Sequence, residues 1–387
     1  MQKYYARQIE QTVKKRLKDN PVVAIIGPRQ CGKTTLSRAV EKALGNSIHL
    51  DLENPADFNR LQDPYAFFNA NSKRLICLDE IQRVPEVFAV IRSFVDEMGK
   101  NGMFLILGSA SPDLLKQSSE SLAGRISYIE LTPFLLGELS KTVKRENLWL
   151  RGGFPRSTLS RDNEISIQWR CDFIRTFLER DIPGFGFRTP AIQLRRFWQM
   201  CAHCHGSLLN LSRLGNSLNV SHHTIKSYID IFEQTFMIRT IHPYFANLKK
   251  RLIKSPKLFI RDSGILHSLL DIETINDLFG HPIYGSSWEG FATEQILGSI
   301  SNWKIFFYRT SDGTEIDLIL ERGRRRIAIE CKASSAPIVS KGFFNCLKEL
   351  SITKAWIAAP VNDSYPIYAG VTVASPEFIA EKLNQFS

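Results

Sequence analysis

The run Gly27-Pro-Arg-Gln-Cys-Gly-Lys-Thr34 constrains this chain more than any other stretch. It fits G-x-x-x-x-G-K-[ST], and its flanks give the pattern a geometry. Residues 22–26 (Val-Val-Ala-Ile-Ile) are apolar and mostly β-branched, which predicts a buried strand. Residues 35–44 have helical spacing and are closed by Gly45, which predicts a helix. A strand-to-helix turn of this kind points backbone N–H groups and a helix N-terminus at phosphate oxygens. The expected phosphate contacts are Gly27, Pro28, Arg29, Gln30, Cys31, Gly32, Lys33, Thr34 and Thr35. Lys33 is expected to reach the β- and γ-phosphates, and Thr34 to offer its hydroxyl to Mg²⁺.

Residues 74–80 (Arg-Leu-Ile-Cys-Leu-Asp-Glu) read as a second buried strand ending in two acids. Asp79 is placed to hold the Mg²⁺ shell, and Glu80 to orient and deprotonate an attacking water. Residues 104–109 give a third strand. At its end Ser109 stands where a polar group meets the γ-phosphate or the water, although Gly-Ser is also ordinary turn chemistry. Residues 47–53 and 126–131 supply a fourth and a fifth strand. Strands alternating with helices predict an α/β fold: a parallel sheet covered on both faces, with its ligand at the carboxyl ends of the strands.

Gly-Pro-Arg-Gln-x-Gly-Lys-Thr-Thr-Leu from residue 27, Leu-Asp-Glu-Ile-Gln from residue 78 and Ser-Leu-Ala-Gly-Arg from residue 121 resemble prokaryotic AAA-type ATPases with a C-terminal domain of unknown function. Trp-Leu-Arg-Gly-Gly-Phe-Pro from residue 149 and Phe-Leu-Glu-Arg-Asp-Ile from residue 177 fit the same pattern, so the resemblance spans essentially the whole chain. It implies ATP binding and hydrolysis and supplies no cellular role. It also implies that Arg125 is an arginine finger, which neutralises charge on the transferred phosphoryl group. Acting on a neighbour's nucleotide, it would require a homo-oligomer. A structural arginine bonded to carbonyls or a carboxylate is the alternative.

At 387 residues the chain is long enough for two or three cored domains, and 43% apolar with 23% charged residues is a globular composition. No apolar run reaches the ~18 residues of a membrane span, and the N-terminus lacks the apolar stretch of a signal peptide. The expectation is a cytoplasmic protein. Seven cysteines spread along the chain read as reduced thiols. Cys201-Ala-His-Cys204-His205 matches the c-type haem attachment pattern and offers partial zinc ligands, against the plainer reading of a helix over 193–205 with small thiols.

The formal charge of +11 suggests an acidic partner, with nucleic acid first among the candidates. Residues 208–218 read as a short helix and 219–221 as a turn with Ser221 as N-cap. The next helix carries Ile225, Tyr228, Ile229 and Phe232 at i, i+3, i+4 and i+7. Strands over 237–244 and 257–261 flank a basic segment, and together these suggest a winged helix. Lys226, Lys249, Lys250, Arg251 and Lys254 are its candidate DNA-phosphate contacts. A packing domain that senses nucleotide state is equally consistent with the pattern.

In the C-terminal third, Glu289 falls near the start of a helix, Asp317 near the start of a strand, and Glu330 and Lys332 at the end of another. The order Glu, Asp, Glu-x-Lys resembles the PD-(D/E)XK nuclease core. On adjacent strands, Asp317 and Glu330 can bind Mg²⁺ with the Cys331 carbonyl. Lys332 orients the attacking water, and Glu289 holds a metal-bound water. The alternative is a restriction-endonuclease-like α/β fold whose acids pair with Lys332 and Arg309 and catalyse nothing. The expected parts are an AAA-type ATP-binding core at 1–135, a helical region at 136–200, a winged helix at 201–270 and a nuclease-like domain at 271–387. The expected function is a Mg²⁺-dependent ATPase working as a switch or motor on DNA. The competing expectation is a regulatory ATPase whose inactive C-terminal domain binds protein partners.

Overall fold

A computed structural model describes residues 4–109, 121–139, 142–245, 253–311 and 313–386. The chain divides into two compact units. The first comprises Met1–Phe134 with the short segments Gly184–Phe187 and Gln234–Phe236, and the second holds the remainder. Among the described residues no helix is long and apolar enough to cross a membrane.

The first unit is a five-stranded parallel sheet in the order β2-β3-β4-β1-β5. Its strands are β1 (Val22–Gly27), β2 (Ser47–Asp51), β3 (Leu75–Asp79), β4 (Phe104–Ser109) and β5 (Ile126–Glu130). The helices are α1 (Glu10–Asp19), α2 (Lys33–Leu44), the short α3 (Pro55–Asn59) and α4 (Pro64–Ala70), and α5 (Val87–Met98). The strands read as unbroken apolar runs because both faces of the sheet are covered. Val23, Ile25, Cys77, Leu105 and Leu107 face Val13 and Leu17 of α1 and Leu36 and Val40 of α2. The alternate residues Val22, Ala24, Ile76, Leu78, Phe104 and Ile106 face Phe68 of α4 and Phe88, Ile91 and Phe94 of α5. Each such side chain taken out of water contributes roughly 1.5–3 kcal/mol before the entropy of ordering is set against it.

The second unit contains a three-stranded antiparallel sheet and a six-stranded mixed sheet. Its helices of seven residues or more are α6 (Arg145–Arg151), α7 (Asn163–Thr176), α8 (Ala191–His203), α9 (Leu211–Leu218), α10 (His222–Gln234), α11 (Ser263–Leu269), α12 (Tyr284–Ser299), α13 (Lys341–Glu349) and α14 (Pro376–Asn384). The small sheet runs β6 (Ser207–Leu208), β8 (Lys257–Ile260), β7 (Ile238–Ile241). The large one runs β13 (Tyr365–Tyr368), β14 (Val371–Ala374), β12 (Ala355–Ala358), β11 (Arg325–Cys331), β10 (Glu315–Arg322), β9 (Lys304–Arg309). Within it β11, β12 and β14 are parallel, while β9–β10–β11 form an antiparallel meander.

α12 is buried on nearly every side from Ser287 to Leu297, so it lacks the polar face of a surface helix. Trp288 is fully buried and donates its indole N–H to the Ala358 carbonyl at 2.9 Å. Gly290 has no room for a side chain, since a Cβ there would lie 2.2 Å from His205 Nε2.

His205 answers the Cys201–His205 motif. The Ile260 N–H donates to its Nδ1 at 3.0 Å, so Nε2 carries the proton and donates to the Ser286 carbonyl at 3.1 Å. Both ring nitrogens are engaged with backbone, which leaves none for haem or zinc. The motif is the end of α8 with a structural histidine.

Burial pushes His205 down to about 4 and His267 down to about 3 from the ordinary 6.5. His267 is held by the Leu150 carbonyl at 3.0 Å and Ser287 Oγ at 2.8 Å. Both imidazoles are neutral in the fold and regain ordinary proton affinity on unfolding. Their contribution to stability is therefore complete above about pH 6.5 and is lost as pH falls towards the folded values. All six tryptophans lie in this unit, so their fluorescence reports its unfolding. The urea midpoint followed this way is expected to fall between pH 6.5 and pH 4, and to fall less steeply in His267→Asn. A midpoint that stays flat across that window would show that neither imidazole is buried neutral.

Candidate functional site

In the first unit, β1 delivers Gly27 to the carboxyl edge of the sheet, and α2 leaves the same edge at Lys33. A Cβ on Gly27 would sit 2.2 Å from the Leu131 carbonyl oxygen, so only glycine lets the turn lie this close to the end of β5. Gly32 has φ 102° and Gln30 has φ 61°, left-handed conformations that curl the loop. Lys33 Nζ donates to the Gly27 and Pro28 carbonyls at 3.1 and 2.8 Å. These are weak acceptors for a full charge, and a phosphate oxygen would replace them with a charge-assisted bond.

Thr34 Oγ1 donates to Asp79 Oδ2 at 2.7 Å. The hydroxyl and the carboxylate thus meet at one point, the donor set that a hard cation carrying phosphate oxygens requires. Glu80 follows at φ 54°, left-handed for a non-glycine residue, a conformation that costs about 1–3 kcal/mol. Its N–H donates to Asp79 Oδ1 at 3.0 Å, and its carboxylate accepts from the Gln82 amide. β4 ends at Ser109 in register with Gly27.

Arg125 does not join this site. It precedes β5, and its carbonyl accepts from the Val22 N–H at 3.2 Å, at the start of β1. Gly27 lies at the other end of that strand, about 16 Å away at ~3.3 Å per residue. The Arg125 guanidinium is paired with Asp96, with Nη2 to Oδ2 at 2.8 Å, and donates to the Ala123 carbonyl at 3.0 Å.

Two features of this site escaped the sequence. Arg7 is 6% exposed and donates to the carbonyls of Cys31 (3.1 Å), Thr132 (2.7 Å) and Pro133 (3.2 Å), tying the loop to the chain after β5. Nothing in its local sequence marks it, because its partners are 24 and more than 100 residues away. Behind Asp79, His49 Nδ1 lies 2.8 Å from Glu41 Oε1, and Ser37 Oγ bridges that oxygen at 2.6 Å to Cys77 Sγ at 3.2 Å. Among the described residues, Glu41, His49 and Cys77 bring ligand atoms within 4.8 Å of one another. With Ser37 they form a hydrogen-bonded chain through His49 Nδ1, which leaves His49 Nε2 buried without a hydrogen-bond partner. His49 Nε2 faces Asp79 Oδ2 at 3.8 Å.

In the second unit, Glu289 on α12, Glu315 and Asp317 on β10, and Glu330 on β11 line one cavity of about 420 Å³ with Arg309, Lys332 and Lys257. The four residues expected to form a constellation there, Glu289, Asp317, Glu330 and Lys332, do come together. Lys332 Nζ donates to Glu330 Oε1 at 2.8 Å, and Asp317 Oδ2 accepts from the Cys331 N–H at 2.9 Å. Glu330 Oε2 is buried without a hydrogen-bond partner. Burial and the neighbouring Asp317 charge push the carboxyls of both Glu289 and Glu330 up from the ordinary carboxylate range.

Lys257, the first residue of β8, was missed in the sequence. Its Nζ lies 2.8 Å from Glu289 Oε1 and 3.3 Å from Asp317 Oδ1, and also pairs with Glu315. Burial alone would lower this ammonium, but the three carboxylates outweigh it and hold it charged well above the usual lysine range.

Of the candidate DNA contacts, Lys226 on α10 and Lys254 before β8 are exposed. Lys249, Lys250 and Arg251 lie outside the described residues.

Removing Arg7 leaves three carbonyls to find new donors, at about 1–3 kcal/mol where no water reaches them. Arg7→Met is expected to weaken the affinity for a fluorescent ATP analogue about tenfold, and Lys33→Met to abolish binding. Unchanged affinity in Arg7→Met would mean that the clamp does not shape the loop.

Residues 19–140 match the AAA domain family, residues 142–276 a domain of unknown function (DUF8612) and residues 284–378 another (DUF4143). Two uncharacterised mycobacterial proteins, Rv2008c of Mycobacterium tuberculosis and Mb2031c of Mycobacterium bovis, are each 42% identical over 356 residues, covering 92% of this chain and 80% of theirs. Among solved structures, a Walker-type ATPase of Pyrococcus abyssi is 12% identical over 69% of this chain and 96% of its own, at TM-score 0.48. AMPPCP-bound DnaA from Aquifex aeolicus is 14% identical over 59% and 86%, at TM-score 0.32. These structural likenesses are too distant to carry a function across. The relatives at 42% identity and the matched domains place the chain plainly: it belongs to the family of AAA-type P-loop ATPases that end in a DUF4143 domain.

Proposed function

We propose that this protein is a Mg²⁺-dependent ATPase that works as a nucleotide-driven switch or motor on DNA. The observation that carries the reading is the convergence of Thr34 Oγ1 on Asp79 Oδ2 at 2.7 Å, beside Lys33 and directly before Glu80. Mg²⁺ bound with ATP would be held by Thr34 and Asp79 and would neutralise phosphate charge. Lys33 exchanges its two carbonyl partners for phosphate oxygens. Glu80 swings from the Gln82 amide to orient the attacking water and accept its proton. A finger role for Arg125 in this reading requires a second copy of the chain, whose nucleotide it would meet.

The DNA part of the proposal rests on α9 and α10, joined by a tight turn at Asn219 (φ 53°) and capped by Ser221, whose Oγ accepts from the Thr224 N–H at 3.1 Å. We read these helices with β6–β8 as a winged helix. α10 buries Ile225, Tyr228, Ile229 and Phe232 and leaves His222, His223 and Lys226 exposed, the polar face that a phosphate backbone would meet. The same reading assigns Glu289, Asp317, Glu330 and Lys332 to a PD-(D/E)XK-like nuclease constellation. Asp317 and Glu330 would hold the metal there, and Lys332 the attacking water.

One observation favours a second reading. Lys257, Lys332 and Arg309 pair with the acids of that cavity, with Arg309 Nη1 3.1 Å from Glu315 Oε2. In this reading the C-terminal domain is catalytically inactive and docks protein partners under control of the ATPase.

The test is ATP hydrolysis by wild type and Glu80→Gln, with and without DNA, while DNA integrity is followed in Mg²⁺. Glu80→Gln is expected to slow hydrolysis by about 10² or more. Stimulation by DNA supports the first reading. Hydrolysis indifferent to DNA, with the DNA left intact, supports the second. Cleavage lost in Asp317→Ala and Lys332→Ala, with hydrolysis retained, would establish the nuclease.

A further inference from the structure

The carboxylates of the C-terminal cavity are arranged as cation ligands, and the protein supplies a cation of its own. Four acids (Glu289, Glu315, Asp317 and Glu330) face three bases (Lys257, Lys332 and Arg309) across one cavity. The bases are not equivalent. Arg309 and Lys332 stand at the rim, 35% and 34% exposed in their side chains, and each pairs with a single acid. The Lys257 side chain is 3% exposed, and its one ammonium nitrogen is shared by three carboxylates from two elements. A buried ammonium is held in place by such contacts, because any rotamer that leaves them strands a charge away from both acid and water.

A nitrogen within 2.8 Å of Glu289 Oε1 and 3.3 Å of Asp317 Oδ1, and paired to Glu315, stands where a hard divalent ion would bind the same oxygens at about 2.0–2.6 Å. A second observation points to a ligand in the same cavity. Glu330 Oε2 is buried, lines the cavity and has no hydrogen-bond partner, while Oε1 of the same carboxylate accepts from Lys332. The cation and the acids also come from different parts of the chain. Lys257 lies within residues 142–276, which match one domain family, and all four acids lie within residues 284–378, which match another.

We propose that Lys257 is a tethered cation occupying the seat of a divalent metal ion, so that the acidic centre of the C-terminal domain is closed to metal while β8 is in place. Replacing the ammonium with a neutral side chain opens a divalent-ion site on Glu289, Glu315 and Asp317. The choice of ion class rests on the nuclease-like reading of Glu289 and Asp317. The exclusion itself rests on charge and geometry.

The test uses the full-length chain without nucleotide and Mn²⁺ as the probe, with free Mn²⁺ read by electron paramagnetic resonance. Wild type is expected to bind no Mn²⁺ at concentrations where Lys257→Met binds one ion per chain, and adding Asp317→Asn to that variant is expected to remove the ion. At about 100-fold excess over its Kd, Mn²⁺ should raise the unfolding temperature of Lys257→Met by about 5 °C or more and leave wild type unchanged. Lys257→Met carries an uncompensated acid cluster and can fail to fold without metal. Lys257→Met/Glu330→Gln restores the charge balance and keeps the three ligands.

Equal Mn²⁺ binding by wild type overturns the proposal. So does a folded Lys257→Met that binds none, or failure of both variants to fold with Mn²⁺ present. DNA cleavage by wild type in Mg²⁺, lost in Asp317→Ala, would support the nuclease reading and overturn this exclusion. Mn²⁺ bound by Lys257→Met with DNA left uncut would do the reverse.

Discussion

A charge taken out of water must be met by partners that the fold itself supplies, and this constraint shapes both units of the protein. In the second unit it is met with full charges. Lys257 sits among three carboxylates, and Glu294 lies between Arg239 and Arg261. Burial would raise Glu294, but the two guanidiniums outweigh it and hold the carboxyl at about 2. In the first unit the constraint is met with dipoles. Arg7 donates to three carbonyls and Lys33 to two.

That difference in partners separates a poised cation from a fixed one. A carbonyl carries only a partial charge, so an anionic phosphate competes with it on favourable terms. Lys33 is therefore available to a ligand at little cost in its own solvation. Lys257 has no such freedom, because its partners are anions and its side chain is buried. The two lysines are the same residue type in opposite states of readiness, and what decides the state is the partner's charge.

Strand order explains why the first unit has its site where it does. β3, β4 and β1 are parallel neighbours, so their carboxyl ends bring Asp79, Ser109 and Gly27 to one edge. The same rule removes Arg125 from that edge. A residue just before β5 stands at the amino-terminal side of the sheet, a strand length away from Gly27.

The sequence by itself determined the five strands of the first unit, the P-loop turn and the acids after β3. Those features are local: an apolar run, a glycine at a close approach and a carboxylate at a strand end are each written in consecutive residues. It also marked Glu289, Asp317, Glu330 and Lys332 as a set. Tertiary structure alone decided what surrounds them. Arg7 meets partners across more than 100 residues, His49 reaches Glu41 and Asp79 from a neighbouring strand, and Lys257 enters the acid cluster from another sheet. Tertiary structure also turned Cys201–His205 from a ligand pattern into a helix end, by giving both His205 nitrogens backbone partners. The physical reason is the same in each case. The charge state and reach of a buried polar group depend on which groups the fold brings within about 3 Å, and local sequence carries no record of that proximity.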